Sequence, residues 1–309
     1  MPDISNVHID VALTNLSRAV TNDDLVADKI FPIAPVKKDS DKFFIYDKSN
    51  LRVDQTRWAP KAQVKEVNWE VTTDTYRTER HGLGELIEDD EKDNQDQPLD
   101  LESDTTEQLT EKLLLRREKN LAAILTNAAN FDADAQPSLG AAARWDNYAS
   151  ATSDPNVDIQ LARKTIYKKT FMRPNTVILP YEVYESVREH PKLYERIKYT
   201  REAIIDEALL ASLWNVKTVI VAGAGENTAN ENQTDALAYI WGKSAWVGYI
   251  EPRPRLKRPS WGYHMQSQKL LVERWRDNPR KGEMFRVSFK EVPKVVTPSA
   301  GYFIQTVVS

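Results

Sequence analysis

The hydrophobic pattern of the chain is most regular between residues 100 and 127, where it predicts one long helix. Apolar residues recur there at spacings typical of a single helix face. They are Leu109, Leu113, Leu121, Ile124, Leu125 and Ala128. Lys112, Arg116, Arg117 and Lys119 fall outside this stripe, which we expect to be the buried face. At 1.5 Å per residue such a helix is about 40 Å long.

Upstream of this helix, the pattern predicts an extended arm and a hairpin. Two prolines within 31–36 forbid a regular helix there. Strand candidates at 41–48 and 62–80, the second with alternating apolar and polar residues, flank a polar tip at 49–61. No predicted helix covers the apolar side of this hairpin, so we expect another subunit to cover it. Residues 84–100 follow as an acidic linker.

From residue 157 onwards, helical and strand-like patterns alternate and predict a compact α/β unit that ends near residue 250. The expected helices are 157–170, two short ones within 181–200 that break at His190-Pro191, and 205–214. The expected strands are 175–180, 217–225 and 236–250, the last with a glycine turn. Three final strands, at 268–276, 284–292 and 301–308, have no helix of their own. We expect these three to return and pair beneath the long helix.

Composition narrows the class of protein. The 309 residues carry 42 Lys and Arg against 46 Asp and Glu, and the net charge of −4 argues against coating nucleic acid by bulk positive charge. The absence of Cys excludes disulfides and Cys-zinc sites. Eight Trp, 12 Tyr and 8 Phe are too many large rings for a disordered chain. Because the sequence has neither a signal-peptide pattern nor an apolar run of membrane-spanning length, we expect a soluble protein.

Three sequence motifs resemble functional sites, but each is better explained as a structural feature. The strand and Gly-x-Gly at 219–225 look like a dinucleotide fingerprint, but Thr228 holds the third glycine position and a polar loop follows in place of a helix. The acidic run at 88–93 lacks the alternate spacing and the glycine of a calcium loop, and it predicts a solvated linker or a salt-bridging surface. The basic stretch at 253–259 fits an acidic patch on a neighbouring subunit at least as well as nucleic acid. We therefore expect no catalytic, cofactor or metal site.

The order of these parts resembles that of the major capsid proteins of tailed phages with the Hong Kong 97-type fold. Four segments carry the resemblance: 25–48 is similar to the passage from N-terminal arm to E-loop, 98–127 to the linker and spine helix, 174–200 to the opening of the A-domain, and 210–229 to its later strand. The resemblance implies an α+β fold. Its expected parts are an N-arm (1–35), an E-loop hairpin (36–80), a P-domain (81–157, with return strands in 252–309) and an A-domain (158–251).

The resemblance also implies a structural function. Hexamers and pentamers of this chain would form an icosahedral virion capsid around double-stranded DNA, assembled in the cytoplasm of the bacterial host, without a cofactor or a membrane. The short stretch before the E-loop implies a separate scaffolding protein, and a portal and a decoration protein are further expected partners. An encapsulin-type shell is the alternative within this fold, and a nucleotide- or phosphate-handling enzyme is the alternative outside it.

The expected interface residues are charged or aromatic and lie in the arm, the hairpin tip, the acidic run and the basic stretch. They are Lys37, Lys38, Arg52, Arg57, Trp58, Glu88, Asp89, Asp90, Arg253, Arg255, Lys257 and Arg258.

Overall fold

The computed structural model describes residues 8–9, 25–46, 53–54, 56–67, 71–94, 100–198, 205–230, 233–253 and 260–309. Its helices are α1 (Ala27–Ile30), α2 (Asp89–Asp93), α3 (Leu101–Leu125), α4 (Pro155–Thr170), α5 (Tyr181–Arg188), α6 (Pro191–Ile197) and α7 (Glu207–Leu213). Its strands are β1 (His8–Ile9), β2 (Ile33–Pro35), β3 (Ser40–Tyr46), β4 (Val71–Arg77), β5 (Glu79–Glu88), β6 (Thr176–Pro180), β7 (Thr218–Ala222), β8 (Gly225–Asn227), β9 (Leu237–Tyr239), β10 (Ala245–Gly248), β11 (Gly262–Asp277), β12 (Gly282–Val295) and β13 (Gly301–Ile304).

The two longest strands, β11 and β12, form the frame of what we call the long sheet. They pair antiparallel from Gly262↔Val295 to Asp277↔Gly282. β5 pairs with the other edge of β12, while β1 and β2 both pair with β11. Because side chains alternate between the two faces of a strand, one face of this sheet collects an apolar set for a helix to cover.

A second sheet, the central sheet, has the strand order β13-β10-β6-β7. β6 and β7 are parallel and are joined by helices, as in other α/β units. Helices α4 to α7 pack on one face of this sheet, while α1 and the end of α3 pack on the other. The predicted helices and buried strands of this unit are confirmed, including the break at His190-Pro191, where the His190 side chain accepts a hydrogen bond from Lys192 N and caps α6.

The expected position of the last strand is wrong. The strand expected at 301–308 does not pair beneath the long helix with the other two; β13 pairs antiparallel with β10, from Ala245↔Ile304 to Gly248↔Gly301. All four of its residues are buried, with Tyr302 and Ile304 in the core on one face of the central sheet and Phe303 in the core on the other. A strand that is apolar on both faces needs a layer on each side, which the central sheet supplies.

Helix α3, which we call the spine helix, bridges the two sheets. Its predicted range is confirmed, and Asp100 caps its start by accepting a hydrogen bond from Ser103 N. In the first half, Leu109 and Leu113 pack on the long sheet against residues such as Phe285. In the second half, Leu121 and Leu125 are buried against the central sheet and α1, with Ile124 partly buried beside them. One apolar face therefore fixes the relative position of both sheets.

The position assigned to Arg117 is wrong, because this side chain is buried on the apolar face together with the neighbouring Glu118. Leu113, Arg117 and Leu121 follow one another at steps of four residues, so Arg117 continues the stripe. A charged group can be buried at this position because polar partners, described below, surround it.

The hairpin is built from β3 and β4, which pair antiparallel from Ser40↔Arg77 to Tyr46↔Val71 as a separate two-stranded sheet. The predicted second strand is too long, because residues 62–67 form no strand in the structure. The acidic linker expected at 84–100 is also wrong in its first part. Residues up to Glu88 belong to β5, and α2 follows. At Gly84 an added Cβ would lie 2.9 Å from the Phe285 carbonyl oxygen, so this glycine permits the close approach of β12.

Candidate assembly surfaces

The hairpin between β3 and β4 exposes several large apolar side chains. Phe44, Val53, Trp58, Val64 and Val67 are each more than half exposed. Polar contacts order the described part of the tip from within: the indole Nε1 of Trp58 donates a hydrogen bond to the Ala62 carbonyl oxygen at 2.6 Å, and Lys65 pairs with Asp54 at 2.7 Å. Exposed apolar side chains on a locally ordered segment mark a surface that contacts another molecule.

The base of the hairpin is anchored on the long sheet by Asp39. Its carboxylate accepts hydrogen bonds from Lys290 Nζ at 2.8 Å, Ser267 Oγ at 2.8 Å and Thr78 Oγ1 at 3.2 Å. These donors, Lys290 first, lower the pKa of Asp39 to about 2. A second ion pair joins Asp74 of β4 to Lys294 of β12 at 3.0 Å. The direction in which the hairpin leaves the subunit is therefore set by β11 and β12.

Glu118 of the spine helix holds the start of α1. Its carboxylate accepts hydrogen bonds from Val26 N at 3.1 Å, Ala27 N at 2.8 Å and Trp241 Nε1 at 2.8 Å. The two backbone donors lie at the amino end of α1, where the helix has no partners of its own for them. Burial raises the pKa of Glu118, although the three hydrogen bonds act in the opposite direction. The buried carboxylate of Glu118 thus attaches the start of α1 to the spine helix.

Arg117 makes the second attachment of α1. Its guanidinium lies 2.8 Å from Asp28 of α1 and 2.7 Å from Glu291 of β12. His264 is fully buried next to this pair, with Nδ1 3.7 Å from Glu291, and burial holds the pKa of His264 well below its usual range. The imidazole is consequently neutral at neutral pH, so Arg117 is the cation that balances Glu291. We call Arg117 and Glu118 the arm clasp.

The expected interface residues fall into three groups in the structure. Lys37, Lys38, Arg57, Trp58 and Arg253 are exposed, and Lys38 pairs with Asp41 at 3.1 Å.

The acidic members, Glu88, Asp89 and Asp90, come together at the start of α2. Glu88 caps this helix, while Asp89 pairs within the chain with Arg276 at 2.5 and 2.6 Å. Asp89 is therefore engaged in a contact within its own subunit. Arg52, Arg255, Lys257 and Arg258 lie outside the described residues.

The arm clasp is not predicted from the sequence. The signal that could have identified it is the gap of eight residues between Leu113 and Leu121 in an otherwise regular stripe. Where a charged residue occupies the position midway between two apolar residues of one helix face, a buried polar contact is indicated.

The described part of the chain contains neither a metal-binding group of side chains nor a membrane-spanning helix. No three His, Asp or Glu side chains there are grouped so that they could hold a metal ion. Within the same residues, no helix has the length and apolar character needed to cross a membrane.

Comparison with known proteins identifies the family. A family model described as phage capsid protein matches residues 71–240, which is more than half of the chain. The major capsid protein of Burkholderia phage BcepMu is 28% identical over 302 residues, covering 96% of this chain and 95% of that protein. The major capsid protein of Pseudomonas phage JBD67 is 27% identical and covers 97% of both chains. A crystal structure of a phage-related protein from Bordetella bronchiseptica RB50 has a TM-score of 0.78 at 29% identity, with 97% of each chain covered.

More distant structures share the fold alone. The capsid of cyanophage P-SCSP1u has a TM-score of 0.63 and the encapsulin SrpI complex of Synechococcus elongatus one of 0.56, both at 12% identity. The chain belongs to the phage capsid protein family, with the α+β Hong Kong 97-type fold. Its role is that of a major capsid protein, the subunit from which a phage shell is built.

Proposed function

We propose that copies of this capsid protein assemble into hexamers and pentamers that close into an icosahedral shell around packaged double-stranded phage DNA. The observation that carries this proposal is the exposed apolar surface of the hairpin, held on a base that Asp39 fixes to the long sheet. An apolar arm with a fixed direction can reach the same place on each neighbouring copy. Such contacts join two different surfaces of the same chain, and they close only when the copies follow a point-group symmetry.

Each region of the chain would form a different part of the capsid subunit. We assign residues 1–35 to an N-arm, 36–80 to an E-loop that reaches over a neighbour, and 81–157 with 252–295 to a P-domain. We assign 158–251 to an A-domain at the centre of each capsomer. β13 belongs with the A-domain, because it pairs with β10 in the central sheet. Within this scheme the exposed residues Lys37, Lys38, Arg57, Trp58 and Arg253 contact neighbouring copies, and Arg52, Arg255, Lys257 and Arg258 are further candidates.

Many modest contacts are sufficient for such a shell. Linked contacts strengthen one another, since each one formed raises the effective concentration for the next. The net charge of −4 suits a container wall, because a strongly basic wall would bind the packaged DNA tightly and hinder its release. We further propose that the DNA is enclosed without sequence-specific binding.

The remaining partners follow from assembly. We propose that a separate scaffolding protein guides the shell to its correct size, that a portal occupies one vertex, and that a decoration protein can bind the outer surface. Assembly takes place in the cytoplasm of the bacterial host, and the protein acts in the virion without catalysing a reaction.

Electron microscopy of the purified protein tests this function. We expect closed shells in negative stain, with double-stranded DNA in particles purified from infected or induced cells. A co-purifying enzyme cargo would favour an encapsulin-type compartment instead. A chain that stays monomeric under all assembly conditions would refute a shell of either kind and reopen the enzyme alternative.

A further inference from the structure

A groove of about 510 Å³ lies on the α/β unit, between α4 and the segments that precede β6 and β7. Its cationic side chains are Arg163, Lys164 and Arg173, and its lining includes Tyr167 and no carboxylate. We call it the amino-end groove, because Arg173 comes shortly before β6 and Asn215, also in the lining, shortly before β7.

The cations of the amino-end groove have no counter-charge within the described part of the chain. None of the ion pairs formed there involves Arg163, Lys164 or Arg173. The Nε of Arg163 is shielded from solvent and has no hydrogen-bond partner among these residues. Burial and the nearby charge of Arg173 both lower the pKa of Arg163. Two guanidinium groups that repel each other beside an unsatisfied donor indicate that an anion completes the site.

The outer face of α4 suggests that this anion belongs to a protein. Val157, Leu161, Tyr167 and Phe171 of this face are about half exposed or more, although α4 already buries its opposite face in the core. Phe171 adopts a left-handed conformation with φ of 53°, which side chains other than glycine and asparagine seldom take, and its ring packs edge-on against Tyr167 at 6.1 Å. A phosphate backbone would use the cations and leave this apolar ridge uncovered. A protein surface that carries both carboxylates and rings would cover the whole face.

This chain has such a surface at the other end of the same two strands. Tyr181 begins α5 directly after β6, and it stacks on Tyr239 of β9 with ring centroids 6.2 Å apart. Leu237, 84% exposed, extends this aromatic pair. Glu182 and Asp235 add carboxylates. Glu182 lies 3.9 Å from Lys243, and Asp235 accepts a hydrogen bond from Asn227 at 2.7 Å. We call these five residues the carboxyl-end patch.

Because β6 and β7 are parallel, the amino-end groove and the carboxyl-end patch lie at opposite ends of the unit. We propose that the amino-end groove of one copy receives the carboxyl-end patch of the next copy, with Glu182 and Asp235 facing Arg163 and Arg173. Two complementary surfaces at opposite ends of one subunit produce a head-to-tail contact, which closes into a ring when the rotation between copies allows it. This inference rests on the proposed function and specifies one contact within a capsomer.

Charge reversal tests the pairing. The double variant R163E/R173E places carboxylates opposite carboxylates, and like charges across an interface oppose binding. We expect the fraction of assembled protein, measured by analytical ultracentrifugation, to fall about tenfold or more. The fold should be kept, since neither arginine has an ion-pair partner among the described residues of its own chain. The matched control K112E/K281E makes the same charge change at two exposed lysines elsewhere and should assemble like the wild type.

The variant R163E/R173E/E182K/D235K restores opposite charges across the contact and should recover most of the assembly. The pairing would be overturned if the first double variant assembled normally, or if the quadruple variant were folded but still failed to assemble. Normal shells with reduced DNA content would also overturn it, since the groove would then serve nucleic acid. If wild-type shells form, the proposed function stands whatever these variants do; a wild-type chain that remains monomeric refutes both proposals.

Discussion

Apolar side chains are buried in the central sheet but exposed on the hairpin. Every residue of β6, β10 and β13 is buried, because helices cover one face while α1 and the spine helix cover the other. On the hairpin, side chains such as Phe44 and Trp58 remain more than half exposed. Complete burial of one large apolar side chain contributes about 1.5–3 kcal/mol, so the central sheet is stabilised within one copy. The apolar area of the hairpin stays exposed within one copy, and we propose that it is buried in a contact between copies.

This contrast separates folding from assembly along the chain. Substitutions in and around the two sheets should change the free energy of unfolding of the subunit. Substitutions in the hairpin should leave that free energy nearly unchanged and act on the shell. The expected effects on the stability of the subunit decrease from the spine helix to the arm clasp and then to the hairpin tip.

Leu113→Asp should have the largest effect. Leu113 is 3% exposed between the spine helix and the long sheet, so the substitution leaves a cavity and buries a carboxylate without a partner. The expected loss is about 5 kcal/mol or more, which is comparable with the whole stability of an ordinary domain. Circular dichroism and urea unfolding of the purified variant measure it.

Val53→Asp is the matched control, because Val53 in the hairpin is 99% exposed. The same charge placed there should leave the unfolding midpoint of the subunit unchanged. A stable, assembling Leu113→Asp protein would mean that the buried face of the spine helix is wrongly placed.

Glu118→Ala in the arm clasp should have the next largest effect. The substitution leaves the backbone N–H groups of Val26 and Ala27 and the indole N–H of Trp241 buried without an acceptor. Several unsatisfied buried donors together cost about 3–5 kcal/mol. Glu118→Gln keeps one acceptor oxygen and should lose less. Equal stability of the alanine and glutamine variants would show that these hydrogen bonds do not hold α1.

Comparing the wild type with Glu118→Gln also gives a prediction for the pH dependence of stability. Since burial raises the pKa of Glu118 in the folded protein, folding favours its protonated form. The stability that this preference contributes is present below the unfolded pKa of about 4.3 and is lost as the pH rises through the higher folded value. The free energy of unfolding of the wild type should therefore fall relative to that of Glu118→Gln as the pH rises above the unfolded pKa. Glu291 also has a raised pKa, but it is present in both proteins and cancels in the difference.

Most of the fold could be predicted from the sequence because its signals are local. The spine helix and helices α4 to α7 follow from periodicity and capping residues, and the short strands follow from apolar runs between turn residues. β13 was placed in the wrong sheet because the choice of partner for a short apolar strand depends on distant residues. The last part of β5, residues 84–88, is not predicted as a strand, because Gly82 and Gly84 interrupt the alternation and an acidic run follows.

The candidate surfaces could be predicted only in part. The exposure of the hairpin could be predicted, because no predicted helix covers its apolar side. The charges of Arg117 and Glu118 look like ordinary surface charge until the partners of the two residues, from α1, β12 and Trp241, are brought beside them by the fold. The amino-end groove combines residues of α4 with residues that precede two different strands, and no sequence spacing predicts that combination.

Replacing residues 49–61 of the hairpin tip with two glycines should have the smallest effect on the subunit and a complete effect on the shell. The side chains described in this range, such as Val53 and Trp58, are exposed and lie in no buried core cluster of the subunit, so the unfolding midpoint should shift by no more than about 2 °C. Shells should be lost in negative stain, because each copy loses its apolar contact with a neighbour.

Trp58→Ala removes one ring and should weaken assembly in part. Normal shells from the shortened chain would mean that the tip makes no contact between copies. An unfolded product would place the tip in the stability of the subunit, and the contrast with the central sheet would then be wrong.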